Sequence, residues 1–213
     1  MRAHISRQHI GPSLRLRIVA AVVLVMLLAF GYQGVYASPA SESGSYNATA
    51  GQVKSSLRYV FPVQPAKNAT FGRYHHDYPA TDIFCPIGSL FVAPTSGVVD
   101  YVTIVDKWNP KTDDPAVRGG LSVAIIGDDS VRYYGSHLSA VTPRIVPGVR
   151  VIGGQTLGKT GRSGDARYVS PHLHFGISHP TTPDDWKTRR GEVSPYKYLR
   201  VWRAGTQLGP VLP

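Results

Sequence analysis

Beyond Ala37, no stretch of this chain keeps a helical apolar period for longer than roughly ten residues, so the core must be built from strands. What recurs instead is short two-residue alternation, broken by turn-forming residues. Ser89 to Val105 alternates around a turn at Thr95-Ser96-Gly97, and Leu121 to Ile126 is a β-rich apolar run. Gly127-Asp128-Asp129 turns the chain into Val131 to Leu138, which alternates again, and Pro147-Gly148 precedes Val149 to Ile152. With 22 Gly, 17 Pro and 12 Tyr in 213 residues, the chain reads as one mainly β, antiparallel-sheet domain joined by long loops, not as two full domains.

The flanks read differently. Arg2, Arg7, Arg15 and Arg17 lead into the apolar run Ile18 to Phe30, and Val35-Tyr36-Ala37 offers the small residues of a cleavage site. We therefore expect residues 1–37 to be a signal peptide, or else an N-terminal membrane anchor. The run is shorter than the ~20 residues of a spanning helix, which favours cleavage. Either way, the remainder is expected to be exported, and the only membrane contact would be through this segment. Residues 38–56 are rich in Ser, Ala and Gly without apolar periodicity and read as a flexible linker. The folded domain is expected over 57–200 and a C-terminal tail over 201–213, with Tyr196, Tyr198 and Trp202 as an aromatic patch that would pack on the core.

The full chain carries a net charge of +10, and without residues 1–37 it keeps 19 basic against 13 acidic residues, or +6. That balance suits an anionic polymer as partner. The basic residues are scattered, with only Lys187, Arg189 and Arg190 closely grouped, and no recognition helix or stacking signature accompanies them, so nucleic acid is not expected. Cys85 is the only cysteine, which rules out an intramolecular disulfide; it reads as a small buried apolar residue. Two loops stand out: the polar segment Asp106 to Gly120, and Gly161 to Ser170 just ahead of a histidine motif.

That motif is Ser170-Pro171-His172-Leu173-His174-Phe175-Gly176-Ile177. On a strand, Leu173, Phe175 and Ile177 share one face and can seal a core, while His172, His174 and Gly176 share the other. Two imidazoles roughly 6–7 Å apart along a strand could serve one metal site, one as ligand and one beside it. Upstream, Tyr74-His75-His76-Asp77-Tyr78-Pro79-Ala80-Thr81-Asp82-Ile83 supplies imidazole and carboxylate, ligand types suited to zinc. A third segment, Tyr133-Tyr134-Gly135-Ser136-His137-Leu138-Ser139, contributes His137, which the alternation places on the same face as Val131, Tyr133 and Gly135.

Together, and in this order, these segments resemble the lysostaphin/LytM-type zinc endopeptidases across roughly Phe61 to Tyr198. The resemblance extends to Phe91-Val92-Ala93-Pro94-Thr95-Ser96-Gly97-Val98-Val99 and to a glycine-rich hairpin from Pro147 to Gly161. There are two departures: the position four before Asp82 is Tyr78 rather than histidine, and two residues rather than one separate Tyr134 from His137. The resemblance implies the family's duplicated hybrid β fold around a groove, and one zinc ion per domain. It implies His76, Asp82 and His174 as metal ligands with a fourth position left open, and His137 and His172 as the catalytic pair. The residues alone do not separate His76 from His75; the His-His-Asp-Tyr-Pro-Ala-Thr-Asp form of the family suggests His76. The implied activity is hydrolysis of peptide bonds in peptidoglycan stem peptides or cross-links. The alternative is an inactive LytM-type domain that binds cell wall or activates another hydrolase. A Gly-x-Ser-x-Gly elbow and a His-Glu-x-x-His helix are both absent, which removes serine-hydrolase and thermolysin-like readings.

Overall fold

The computed structural model describes residues 57–213; the expected signal segment (1–37) and linker (38–56) lie outside them. Nearly all regular structure is strand, as the short alternating runs require. The strands are β1 (Val63–Gln64), β2 (Thr70–Phe71), β3 (Thr81–Phe84), β4 (Leu90–Val92), β5 (Gly97–Thr103) and β6 (Ser122–Gly127). They continue with β7 (Arg132–Ser136), β8 (Leu138–Val141), β9 (Arg150–Val151), β10 (Thr156–Thr160) and β11 (His172–Ser178). Two short helices follow, α1 (Trp186–Arg189) and α2 (Tyr196–Arg203). A seven-stranded sheet runs in the order β2-β3-β11-β7-β6-β5-β9, and a four-stranded sheet in the order β1-β4-β10-β8, with antiparallel pairing throughout.

The two sheets share one core. Leu173, Phe175 and Ile177 are fully buried there, with Ile83, Val123, Ile125 and Tyr133 from the same sheet and Phe91 and Leu157 from the other. Each such side chain contributes on the order of 1.5–3 kcal/mol by leaving water. The face reading of β11 therefore holds. Its register fixes the opposite face too: His174 lies opposite Asp82 of β3 on one side and Ser136 of β7 on the other.

Three expectations need correction. First, β9 and β10 do not form a hairpin. β9 pairs with β5 in the larger sheet and β10 with β4 and β8 in the smaller, so the turn through Gly153 and Gly154 carries the chain between sheets. Second, Tyr133 and His137 do not share a face. Tyr133 is core, and Gly135 packs so tightly that a Cβ there would lie 2.5 Å from the Phe91 ring. His137 leaves the alternation because its φ is +63°, a left-handed backbone that swings its ring to the other side. Third, the domain does not end at residue 200. Helix α2 runs through it, Trp202 is buried and stacks on Tyr59 at 5.4 Å, and Val211 N–H donates to the Tyr198 hydroxyl at 2.9 Å. The aromatic patch does pack on the core, and it draws the tail in with it.

On the same face of β7 as Tyr134 and Ser136, Arg132 is fully buried. Its Nε lies 2.8 Å from Asp100 Oδ2, Nη1 donates to Thr181 Oγ1 at 2.8 Å, and Nη2 reaches the Thr181 carbonyl. This cation anchors the segment that leads into α1, and α1 itself is capped by the Asp185 side chain accepting from Thr188 N–H at 3.1 Å.

Because Leu173 seals the strand that presents both histidines, Leu173→Ala should cost about 2–5 kcal/mol in chemical denaturation. A loss under about 1 kcal/mol would show that this core does not hold the strand.

Candidate metal centre

The site forms where β3, β7 and β11 run side by side. His174 Nε2 lies 3.0 Å from the Arg190 carbonyl oxygen, which can only accept, so Nε2 carries the proton. The Nδ1 lone pair is therefore left facing Asp82 Oδ1, 3.0 Å away. Two acceptors cannot sit that close with nothing between them: a proton or a metal ion must bridge them. Tetrahedral zinc ligands at about 2.0–2.1 Å from the ion stand roughly 3.3 Å apart, close to this spacing.

His75 completes the group. Its Nε2 lies 3.8 Å from Asp82 Oδ1, its ring centroid is 5.0 Å from that of His174, and its buried Nδ1 has no hydrogen-bond partner among the described residues. Ligand atoms of His75, Asp82 and His174 all lie within 4.8 Å of one another. Two imidazoles and one carboxylate are a donor set that fits zinc. His76 is not in this group. The structure places it at the exposed rim of the cavity, because neighbours in the irregular 72–80 bend point in different directions and only His75 turns inward. His75 takes the position expected of His76. Cys85 is buried elsewhere and takes no part in the group.

His137 and His172 lie beside the three. Nδ1 of His137 donates to the Ser163 carbonyl at 2.9 Å, and Nδ1 of His172 to the Ser170 carbonyl at 2.8 Å. Each ring is thus held in the tautomer that leaves Nε2 as a free acceptor. The two rings are 4.8 Å apart, and His172 Nε2 is 3.8 Å from Asp82 Oδ1.

Two loops hold His137 in its left-handed conformation. Gly119, from the 106–120 loop, accepts its backbone N–H at 2.9 Å, while Ser163, from the 161–170 loop, accepts its ring. The loops are locked to each other. Asp106 Oδ2 accepts from Gly164 N–H at 2.9 Å and Arg167 Nη2 at 3.0 Å, and Asp165 N–H donates to the Arg118 carbonyl at 3.0 Å. At Gly164 the approach is so close that a Cβ would lie 1.9 Å from the Arg118 oxygen, with φ at +67°. Only glycine fits there.

The whole set lines one open cavity of about 690 Å³. Its walls include residues that sequence reasoning missed: Tyr78, Tyr134, Asp165 and the pair Arg189–Arg190. Tyr78 and Tyr134 had appeared within the motifs without a role, and the arginines as the one close basic grouping.

Charge in the cavity is unevenly distributed. When a proton bridges the pair, burial works against ionisation of Asp82, but the hydrogen bond from the protonated His174 and the charges of His174, His172 and His75 outweigh it and lower its pKa to about 2. For His137, burial is the main cause, reinforced by His174 and His172, and its pKa falls to about 3. Burial and His174 also push His75 below its usual value. Asp165 moves up, chiefly through burial, and its Oδ1 lies 3.9 Å from His137 Nε2.

Two measurements follow from this geometry. His75→Ala should lose most of its bound divalent metal after dialysis while His76→Ala retains it; the reverse pattern would return the ligand role to His76. The second concerns pH. His137 titrates near 6.5 when unfolded and near 3 when folded, so the unfolded chain binds the extra proton between those values. Its contribution to stability is therefore complete above pH 6.5 and drains away as pH falls. Metal-free wild type should lose denaturant stability on acidification more steeply than His137→Asn, by up to about 1.4 kcal/mol per pH unit. Equal slopes would contradict the burial argument.

The profile of Peptidase family M23 matches residues 76–186. The chain is 29% identical over 136 residues to an L-Ala–D-Glu endopeptidase of Bacillus subtilis (strain 168), covering 62% of this chain and 36% of that protein. The alignment thus spans only about a third of that relative. Among solved structures, a LytM structure from Ruminococcus gnavus ATCC 29149 is 21% identical with a TM-score of 0.52, covering 70% of this chain and 62% of that one. The catalytic domain of the antimicrobial peptidase lysostaphin from Staphylococcus simulans is 23% identical with a TM-score of 0.49, covering 63% and 95%. The family match begins at His76, one residue after His75, takes in Asp82, His137, His172 and His174, and spans more than half of the sequence. With a LytM-like β fold carrying these residues, the chain belongs to peptidase family M23.

Proposed function

We propose that this protein is an exported, zinc-dependent endopeptidase that cuts peptide bonds in the stem peptides or cross-links of peptidoglycan. The observation that carries the proposal is the pair of facing acceptors, His174 Nδ1 and Asp82 Oδ1, 3.0 Å apart with His75 beside them. Zinc held by His75, Asp82 and His174 would supply Lewis acidity toward a scissile carbonyl, keeping a net charge of +1 among two neutral imidazoles and one carboxylate.

The remaining chemistry belongs to this chain's own side chains. His137 and His172 present unprotonated Nε2 atoms from backbone-fixed rings, and between them can take a proton from the attacking water and return one to the leaving amine. Neither ring needs to reorganise, because each Nδ1–H is already donated to a carbonyl. The Asp82 carboxylate, held ionised well below neutral pH, keeps the metal-binding charge in place across the working range. The interlocked loops at 106–120 and 161–170 form the wall against which a peptide would lie.

The substrate assignment is supported by the relatives, one of which is an L-Ala–D-Glu endopeptidase, and by the surplus positive charge of the chain outside residues 1–37. Export is supported by the basic lead, the apolar run Ile18 to Phe30 and the Val35-Tyr36-Ala37 site.

Purified protein should clear a peptidoglycan suspension, stop on chelation and recover with added zinc, while His174→Ala should lose activity by at least a hundredfold. Clearing by His174→Ala at the wild-type rate would sink the metal reading. A metal-loaded wild type that clears nothing would point to a domain that binds wall without cutting it.

A further inference from the structure

The cavity carries one cation that the chemistry above leaves unused. Arg190 follows the four-residue helix α1 and lines the cavity. Its carbonyl is tied up with His174, but its guanidinium is not tied to anything polar. Nε is buried without a hydrogen-bond partner, and none of the ion pairs among the described residues includes Arg190. It is held instead by stacking: Cζ lies 3.8 Å from the Tyr78 ring centroid and 5.1 Å from that of Trp186.

The neighbouring arginines differ in their Nη groups, although Arg189 Nε is also buried without a partner. Arg118 is paired with Asp113 at 2.5 Å, and Arg189 donates to the Pro183 carbonyl and packs on Tyr101. Arg190 alone among the cavity's three arginines keeps its fork free of both an ion pair and a carbonyl. A buried N–H without an acceptor costs roughly 1–3 kcal/mol, a cost that an acceptor on a bound ligand would offset. Its position is also specific. Tyr78, on which it lies, is 4.4 Å from the His75 ring and 5.7 Å from the His174 ring, so the guanidinium stands one aromatic ring away from the metal-binding group.

We infer that Arg190 is a specificity-determining residue that receives a free carboxylate of the peptide substrate, one or two residues from the bond to be cut. Planar, always charged and pre-stacked, arginine presents paired N–H donors that match a carboxylate and not a carboxamide. An acidic residue beside the scissile bond offers such a carboxylate and its amide does not, so the residue would let the enzyme tell them apart. This rests on the peptidase reading proposed above.

The test uses two synthetic stem peptides, identical except for a carboxylate or a carboxamide beside the scissile bond. Zinc-loaded wild type should cut the carboxylate peptide with kcat/KM about tenfold higher. Arg190→Gln should bring that ratio close to one, and Arg190→Lys should restore part of it. Calorimetric titration of the metal-free protein with both peptides gives a second reading, independent of turnover. If neither peptide is cut yet the carboxylate form binds about tenfold more tightly, the peptidase reading falls and the anion subsite stands. Equal treatment of the two peptides by wild type, or a ratio unchanged in Arg190→Gln, overturns the inference.

Discussion

The structure turns on one donated proton. By giving its Nε2–H to the Arg190 carbonyl, His174 is left with a lone pair aimed at a carboxylate oxygen 3.0 Å away. Like-signed acceptors at that distance repel unless a cation lies between them, so this contact selects for a positively charged occupant. Everything else in the cavity is arranged around it. Asp82 is brought opposite His174 by strand register, His75 closes the third side, and the Arg190 backbone that sets the tautomer belongs to the same residue whose side chain stacks on Tyr78.

The fold serves this contact by separating sealing from presentation. On β11, alternate residues go either into a core shared by two sheets or toward the cavity, so the strand cannot slip by one residue without exposing Leu173, Phe175 and Ile177 to water. The loops do the opposite kind of work. They are irregular, yet Asp106, Gly164 and Arg118 bind them to each other, and together they fix a histidine whose backbone geometry no strand would supply. The position of His137 is thus a tertiary product, held from two directions at once.

This division explains what the sequence disclosed. The two-residue period is local, so the β class, the orientation of His172 and His174 and the buried face of β11 could be read directly. Asp82 was found because it sits where a histidine-bearing bend enters a strand. The choice between His75 and His76 could not be read, since neighbours in a bend follow no period and the winner is set by where Pro79 and the following strand carry the chain. His137 was assigned to the wrong face because alternation assumes extended backbone, and its left-handed φ depends on partners many residues away. Arg190 was visible only as one member of a basic grouping; a four-residue helix carries no pattern from which a side chain's target could be inferred. Residues 201–213 were read as a tail because they lie beyond the last obvious motif, although Trp202 was expected on the core and Leu212 packs there too.

The central claim is that His75, Asp82 and His174 share one metal ion. Diffraction from zinc-loaded crystals at the zinc absorption edge addresses it most directly. The account predicts a single strong anomalous peak within ligand distance of all three side chains, with His76 turned away. A peak bound by His76 in place of His75, or no peak between Asp82 and His174 in protein shown to contain zinc, would contradict it.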